Sequence, residues 1–407
     1  MAITKGPLSG IRVLDLSQAD AGPVTTMLLG DLGAEVIKLE SPLGDLMRFG
    51  DSEIKVDVKN YYMLTLNRNK KSVVLDLKGK LGKEAFNELV KVSDIVFSNF
   101  RADVPQRLGI DFDALKKINP NIIQCNLTGF GATGPYTEYP CFDIVACGHS
   151  GILSVCGEPG GSPVVPGGIA LADLMSGIYA VLSILAALIN KNQDGEGIKV
   201  DANMLDSLLF MQKVLFQSYF SSGKVVSFQG RRHHMLPTYG IFKTKDGSMT
   251  LGPTNEDKLI ELVGLGWMLE DPKYNNIVSR VVNKEEFTKY FEEALLQKTT
   301  EEWVRLFRDE NDWASGPVYN YDQVTKDPQV SHNNMIKEME LKGKKYKTIG
   351  SVFKMHGMIE GEPDPPPDLG EQTEEILRDV LGYSGKLIND IKSENEIGAW
   401  RMRGCKK

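Results

Sequence analysis

The chain has 407 residues, 42% of them apolar and 25% charged, the composition of a soluble globular protein with two domains of ordinary size. Its 47 Lys and Arg against 54 Asp and Glu leave a net charge of −7, which argues against a nucleic-acid partner and a membrane surface. The five cysteines are odd in number and form no CxxC pair, which excludes a zinc knuckle and a disulfide framework. The opening "MAITKGPLSGIRVLDL" lacks the apolar run of a secretory signal, so a reduced, cytoplasmic enzyme is expected, with no metal and no tightly bound cofactor.

In chain order, "IRVLDL" (11–16) reads as a strand and "GPVTTMLLGDLG" (22–33) as a helix ending at glycine. "AEVIKLE" (34–40), "KSVVLDL" (71–77), "SDIVFSN" (93–99) and "NIIQCNLTGFG" (121–131) read as further strands. Between 77 and 93, "KGKLGKEAFNELVKV" repeats its apolar residues every three or four, the period of a helix. Strands alternating with helices predict a parallel sheet of the nucleotide-binding type. From 131 to 168 the chain is rich in Gly and Pro, and such loops beyond strand ends are where open α/β sheets place ligands.

"GGIALADLMSGIYAVLSILAALINK" (167–191) follows, with one carboxylate, Asp173, opening a long apolar run. Interrupted by Asp173, Ser176 and Gly177, it is expected as a buried core helix and not a membrane span. From the residues alone, Asp173 reads either as a helix cap or as a functional carboxylate. "GIKVDANMLDSLLFMQKVLFQSYF" (197–220) predicts a short strand and a second apolar helix. "GIFKTKDGSMTLGPT" (240–254) predicts a hairpin around its Asp-Gly turn, then amphipathic helices to about 310. The Pro-rich "EPDPPPDLGEQTEEILRDVLGY" reads as a rigid connector and a helix. These divisions predict a large domain opening with residues 1–224, a small α+β domain at 225–325, and a return segment at 326–407.

"GIRVLDLSQADAGPVTTMLLGDLGAEVIKLESPLGD" resembles the N-terminal signature of the family III CoA-transferases, the formyl-CoA, carnitine and benzylsuccinate CoA-transferase group. The similarity continues, in the family's order, through "NRNKKSVVLDLK", "SDIVFSNFRADVPQRLGI", "LTGFGATGP", "ALADLMSG", "GEGIKVDANMLDSLL" and "LGEQTEEIL". The resemblance implies an α/β fold with a Rossmann-like large domain built from both chain ends and a smaller inserted domain. It also implies two interlocked subunits, a homodimer or a heteromer with a related chain. It assigns Asp173 as the nucleophile, which takes the acyl group from a CoA thioester as a mixed anhydride and frees CoA thiolate. The acceptor carboxylate then displaces the aspartate, and CoA reopens the new anhydride.

Carried over position by position, Asp20 and Ala21 match residues near the pantetheine and thioester of the acyl-CoA substrate. Leu75 and Lys78 match adenine-side and phosphate-side contacts. Asn99, Phe100 and Arg101 match the loop around the nucleotide, and Arg107 a basic position beyond it. Asp143 matches a family acidic residue that orients groups or manages a proton. Lys70, Lys71, Lys78, Arg101 and Arg107 are candidates for the local positive charge that CoA phosphates need.

The chain departs from the formyl-CoA transferases at Asp20, where they carry Gln, and at Ser41, a binding position where they carry Arg. Arg48 either compensates or pairs locally. "GRRHHMLPTYG" stands where they carry a glycine run, and Arg231, Arg232, His233 and His234 are candidates for an anionic acyl group. The racemases of this fold use a His where this chain has Phe142, and His149 reads as structural. CoA transfer to an organic carboxylic acid is therefore expected, with succinyl-CoA as a candidate donor and a substituted succinate, 2-hydroxy acid or aromatic acid as acceptor. Racemase or epimerase activity, or a scaffold role in a two-subunit transferase, stands as the alternative.

Overall fold

The computed structural model describes residues 6–49, 55–56, 59–228, 230–231, 236–253, 255–355 and 361–404. Six parallel strands form one sheet: β1 (Arg12–Asp15), β2 (Glu35–Glu40), β3 (Lys70–Val74), β4 (Ile95–Ser98), β5 (Ile123–Thr128) and β6 (Lys199–Asn203). Their order is β3-β2-β1-β4-β5-β6. The order reverses between β1 and β4, and in such sheets ligands bind outside the carboxyl ends of the strands at that reversal. Burial of every residue in β4 and β5 marks a sheet covered on both faces.

Two polar residues of "AEVIKLE" break the usual pattern. Lys38 and Glu40 read as the wet side of a strand, yet both are buried, as are Asp15 on β1 and Lys70 on β3. They survive burial because they are paired: Lys38 Nζ lies 2.8 Å from Asp45 Oδ2, and Lys70 Nζ 3.1 Å from Asp15 Oδ2. Arg48 pairs with Glu40 at 2.6 Å, the local role among its two expectations. Lys70 is therefore committed to the core and not to a phosphate, and Lys71 pairs with Glu35 and Glu375.

The Lys80–Lys91 helix buries Ala85, Phe86, Leu89 and Val90 against Leu14, Ile37 and Val96. Ile388 and Ile391 of the Gly385–Gly404 helix enter the same core. The N-cap of Lys80–Lys91 is Gly79, which has no side chain; Glu394 accepts from Lys80 N and Gly82 N instead, at 3.0 and 2.8 Å. The final helix was absent from the sequence expectation, because its apolar residues are few and widely spaced.

The chain divides into two compact units, one of Met1–Ile152, Pro166–Phe216 and Ser331–Lys407, the other of Leu153–Val165 and Gln217–Val330. The second has an antiparallel sheet of Gly240–Lys243, Ser248–Gly252 and Ala314–Pro317 over a core that includes Phe242, Phe287, Phe291 and Trp303. The hairpin expected at 240–254 forms, and Asp246 in its turn accepts from Thr300 N at 2.8 Å. In the first unit two further strands, Ile336–Leu341 and Lys344–Ile349, turn at Lys342 and Gly343, both at positive φ as a tight hairpin demands. Their charge-rich alternation hid them in the sequence.

The long helix runs Leu171–Asp194. By length and composition Leu171–Lys191 is apolar enough to cross a membrane, yet 44% of its most apolar window is buried in the fold. Ala172, Ser176, Ala180 and Ile184 face the core, whereas Leu182 and Ile189 are 55% and 62% exposed. The core helix that was expected is buried on one face and exposed on the other among the described residues.

Candidate active site

A cavity of about 450 Å³ opens at the carboxyl ends of β1, β4 and β5. The turn after β1 supplies Gln18, Ala19, Asp20 and Ala21 to its wall. The segment after β4 supplies Asn99, Phe100, Arg101 and Arg107, and the long helix supplies Asp173. Seven of the expected site residues thus meet in one cavity. Ser41, Leu75 and Lys78 are not among its lining residues: Leu75 is buried in the core beside Val73, Lys78 is exposed, and Ser41 closes a turn by accepting from Gly44 N.

Close helix contact brings Asp173 to Asp20. A Cβ at Gly177 would stand 2.6 Å from Val24 Cγ1 and 3.1 Å from the Ala21 carbonyl oxygen, so only glycine lets the two helices approach this far. The N-terminal turns of Ala21–Asp31 and Leu171–Asp194 therefore lie side by side, with Asp20 at the N-cap of one and Asp173 in the first turn of the other.

The long helix has Ala170 at its N-cap, which offers no capping oxygen. Asp143, at the start of the Asp143–His149 helix, provides it: Oδ1 accepts from Ala172 N at 2.6 Å and Asp173 N at 3.3 Å. This changes the electrostatics expected at Asp173. The sequence places Asp173 where free N–H groups hold a carboxylate charged, but Asp143 occupies them. Burial, the negative charge of Asp20 and that of Asp143 push the Asp173 pKa up to about 7. Burial and Asp143 push Asp20 to about 6.

The sign of this shift makes a stability prediction. Between the ordinary aspartate pKa of 3.8 and about 7, folded Asp173 keeps a proton that the unfolded chain releases, so stability falls as pH rises through that window. Solvent in the open cavity screens part of the cost and leaves about 1–2 kcal/mol at pH 8. Asp173→Asn is expected to recover that amount at pH 8 and nothing at pH 4, read by denaturant melts at both values.

The charged groups differ in what they leave free. Arg107 pairs with Asp103 one helical turn away at 3.1 Å, both exposed. Arg101 carries no ion pair among the described residues and lines the cavity. Asp20 accepts no side-chain capping bond from the helix it precedes. A carboxylate at that N-terminus repels a pyrophosphate, so the phosphate-binding use of the first βα turn is closed here.

Sequence reasoning placed Phe100 in the wall but missed most of its other apolar lining. Phe130, Tyr139, Phe142 and Leu46 line the cavity. Phe130 and Tyr136 meet His149 edge-on at 5.0 and 6.0 Å, and His149 Nδ1 lies 3.1 Å from the Val145 carbonyl oxygen, which fits the structural role expected for it. The available signal was "GFGATGPYTEYPCF", a Gly- and Pro-rich stretch carrying four aromatics. Arg231 pairs with Glu158 at 3.3 Å and Glu292 at 3.6 Å; Arg232, His233 and His234 lie outside the described residues. Among the described residues no three His, Cys, Asp or Glu side chains are arranged to hold a metal ion.

Residues 8–373 match the family model for CoA-transferase family III. The human succinyl-CoA:glutarate CoA-transferase is 35% identical over 406 residues, covering 96% of this chain and 90% of that protein. The beta subunit of succinyl-CoA–L-malate CoA-transferase from Chloroflexus aurantiacus is 31% identical, covering 96% of this chain and 98% of its own. A crystal structure of a CAIB/BAIF family protein from Brucella suis superposes with a TM-score of 0.83 at 30% identity, covering 93% of this chain and all of that one. The likeness spans the sheet, the cavity and the helix that carries Asp173, and the chain belongs to CoA-transferase family III.

Proposed function

We propose that this transferase moves CoA from succinyl-CoA to a small dicarboxylic acid of the glutarate or malate kind, with Asp173 as the nucleophile. One observation carries the reading: a carboxylate, its pKa raised to about 7, in a cavity wall that also holds Arg101, which has no ion pair among the described residues. A carboxylate made more basic is a stronger nucleophile toward a thioester carbonyl, and at neutral pH enough of it is ionised to react. Attack breaks the C–S bond, forms an aspartyl anhydride and releases CoA thiolate. Asp143 holds the backbone of Asp173 in place through the helix N-terminus, and Arg101 with Asn99 receives the CoA nucleotide.

The dicarboxylic acceptor is supported by the relatives, whose names specify glutarate and malate. Phe142 is 71% exposed at the cavity wall and has no group that exchanges a proton, which argues against a racemase. The test is the purified chain with succinyl-CoA and separate acids, with CoA thioesters followed by chromatography. Glutaryl-CoA or malyl-CoA should form. Exchange of the α-proton in heavy water with no acceptor consumed, or activity only after a second chain is added, overturns the reading.

A second copy of the chain, interlocked as in the family resemblance, is proposed to cover the exposed stripe of Leu182, Ile189 and Phe210. Sedimentation equilibrium should give twice the 45.1 kDa chain mass; a monomer at micromolar concentration contradicts it. The four free cysteines among the described residues fit the reducing cytoplasm in which we place the reaction.

A further inference from the structure

Between β1 and the Ala21–Asp31 helix the chain makes a turn, Ser17–Asp20, in which Ala19 adopts φ +65°. A non-glycine residue there is uncommon and persists only where its surroundings hold it. The turn's backbone is held by side chains rather than by a ladder. Asp15 accepts from Ser17 N at 2.9 Å, and Lys38 Nζ donates to the Ser17 carbonyl oxygen at 2.8 Å. Asn99 accepts from Gln18 N at 2.9 Å and donates to the Gln18 carbonyl oxygen at 2.8 Å. Asp45 Oδ1 accepts from the strained residue itself, Ala19 N, at 3.2 Å.

Asp45 is fixed in its turn. Its second oxygen pairs with Lys38 at 2.8 Å, both side chains being fully buried, and Oδ1 also accepts from Met47 N at 3.0 Å. Burial alone would lower the Lys38 pKa, but Asp15, Asp45 and Glu40 outweigh it and hold the ammonium charged. An ion pair placed under a strained turn, one residue before a carboxylate of the cavity wall, has the arrangement of a support for that carboxylate.

We propose that Asp45, backed by Lys38, is a positioning residue: it holds the Ser17–Asp20 turn with Ala19 in the left-handed region, and so keeps the Asp20 carboxylate facing the cavity beside Asp173. This rests on the CoA-transfer reading of Asp173 only for its consequence, since the placement is a property of the protein alone. Asp45 acts on the cavity only through Asp20. Neither Asp45 nor Lys38 lines the cavity.

The experiment reads the ionisation of Asp173 by NMR of protein carrying carbon-13 at the aspartate carboxyls, with Asp173→Asn identifying the resonance. The groups that act on or face Asp173 are Asp20 from the turn, Asp143, Cys141 and Cys147 from the Asp143–His149 helix and its approach, and Tyr62 from Tyr61–Leu66. Asp45→Ala removes the bond to Ala19 and leaves Lys38 sharing Asp15 with Lys70 and Glu40 with Arg48, so the variant is tested for folding first. The freed turn should carry Asp20 away and leave Asp173 about tenfold stronger as an acid. A purely structural role for Asp45 lowers the melting temperature without moving that midpoint, and an unmoved midpoint in the folded variant overturns the proposal.

Should Asp45→Ala fail to fold, Ala19→Val gives the same reading with Asp45 and Lys38 intact, because a β-branched residue resists positive φ. Its Asp173 midpoint should fall likewise, whereas Ala19→Gly, which adopts that φ freely, should keep it. An unchanged midpoint in Ala19→Val overturns the proposal. No substrate is needed, so failure of the clamp is distinguishable from failure of the CoA-transfer reading, which turnover by Asp173→Ala would reveal.

Discussion

Replacing Asp173 by alanine is expected to lower kcat by about 10⁴-fold or more and to leave CoA affinity within about threefold, measured by steady-state kinetics and calorimetry. In the proposed reading the two effects separate because the residues differ in task. Arg101, Asn99 and Phe100 lie on the segment after β4 and do not depend on the Asp173 side chain for their placement. The helix start is likewise secure, since its N–H groups are capped by Asp143 and not by Asp173. Removing the Asp173 carboxyl also removes a like charge from Asp20, so the alanine variant should be no less stable than the parent at pH 8. A large loss of turnover in a protein that is equally stable and still binds CoA points to lost nucleophilic chemistry. A tenfold loss or less would place the chemistry elsewhere.

Gly177→Val is expected to destabilise the fold by about 3 kcal/mol and to lower kcat/KM by about 100-fold in whatever protein remains folded. The glycine is the point at which two helices touch: its Cβ would fall inside the contact distance of Val24 Cγ1 and press on the Ala21 carbonyl oxygen. Thr25 Oγ1 also donates to the Gly177 carbonyl oxygen at 3.4 Å, so the contact is polar as well as close. A bulkier residue must push the Ala21–Asp31 helix away, which widens the gap between Asp20 and Asp173 at the helix starts. Denaturant melts give the first quantity and initial rates on the folded fraction the second. Loss of stability with kcat/KM preserved would mean that the approach of the helices serves packing alone.

Much of this site was legible before any coordinates. β-Branched runs and helical spacing are enough to write the first five strands of the sheet, because each carries a run of buried apolar residues between helical or turn segments. The cavity was legible in part for the same reason: "SQADAGP" and "SNFRADVPQRLG" follow strands, and strand ends are where an open sheet exposes its chain. What stayed hidden depends on contacts distant in sequence. Asp143 caps a helix that starts 28 residues later and so takes the N–H groups at Asp173, whose pKa burial, Asp20 and Asp143 together raise. Lys38 and Glu40 look like the wet side of a strand, and only their partners Asp45 and Arg48 show why they are buried. Lys70 looks like a phosphate ligand until Asp15 is found beneath it. Such pairings leave no local period, so no reading of spacing finds them.

The most direct test of Asp173 as nucleophile is to mix the protein with succinyl-CoA and no acceptor, quench with hydroxylamine, and map the modified residue by peptide mass spectrometry. An acyl anhydride on Asp173 should be converted to the hydroxamate at that residue, with release of one CoA per site and no label in Asp173→Ala. Full turnover by a protein whose Asp173 is never labelled would contradict the mechanism.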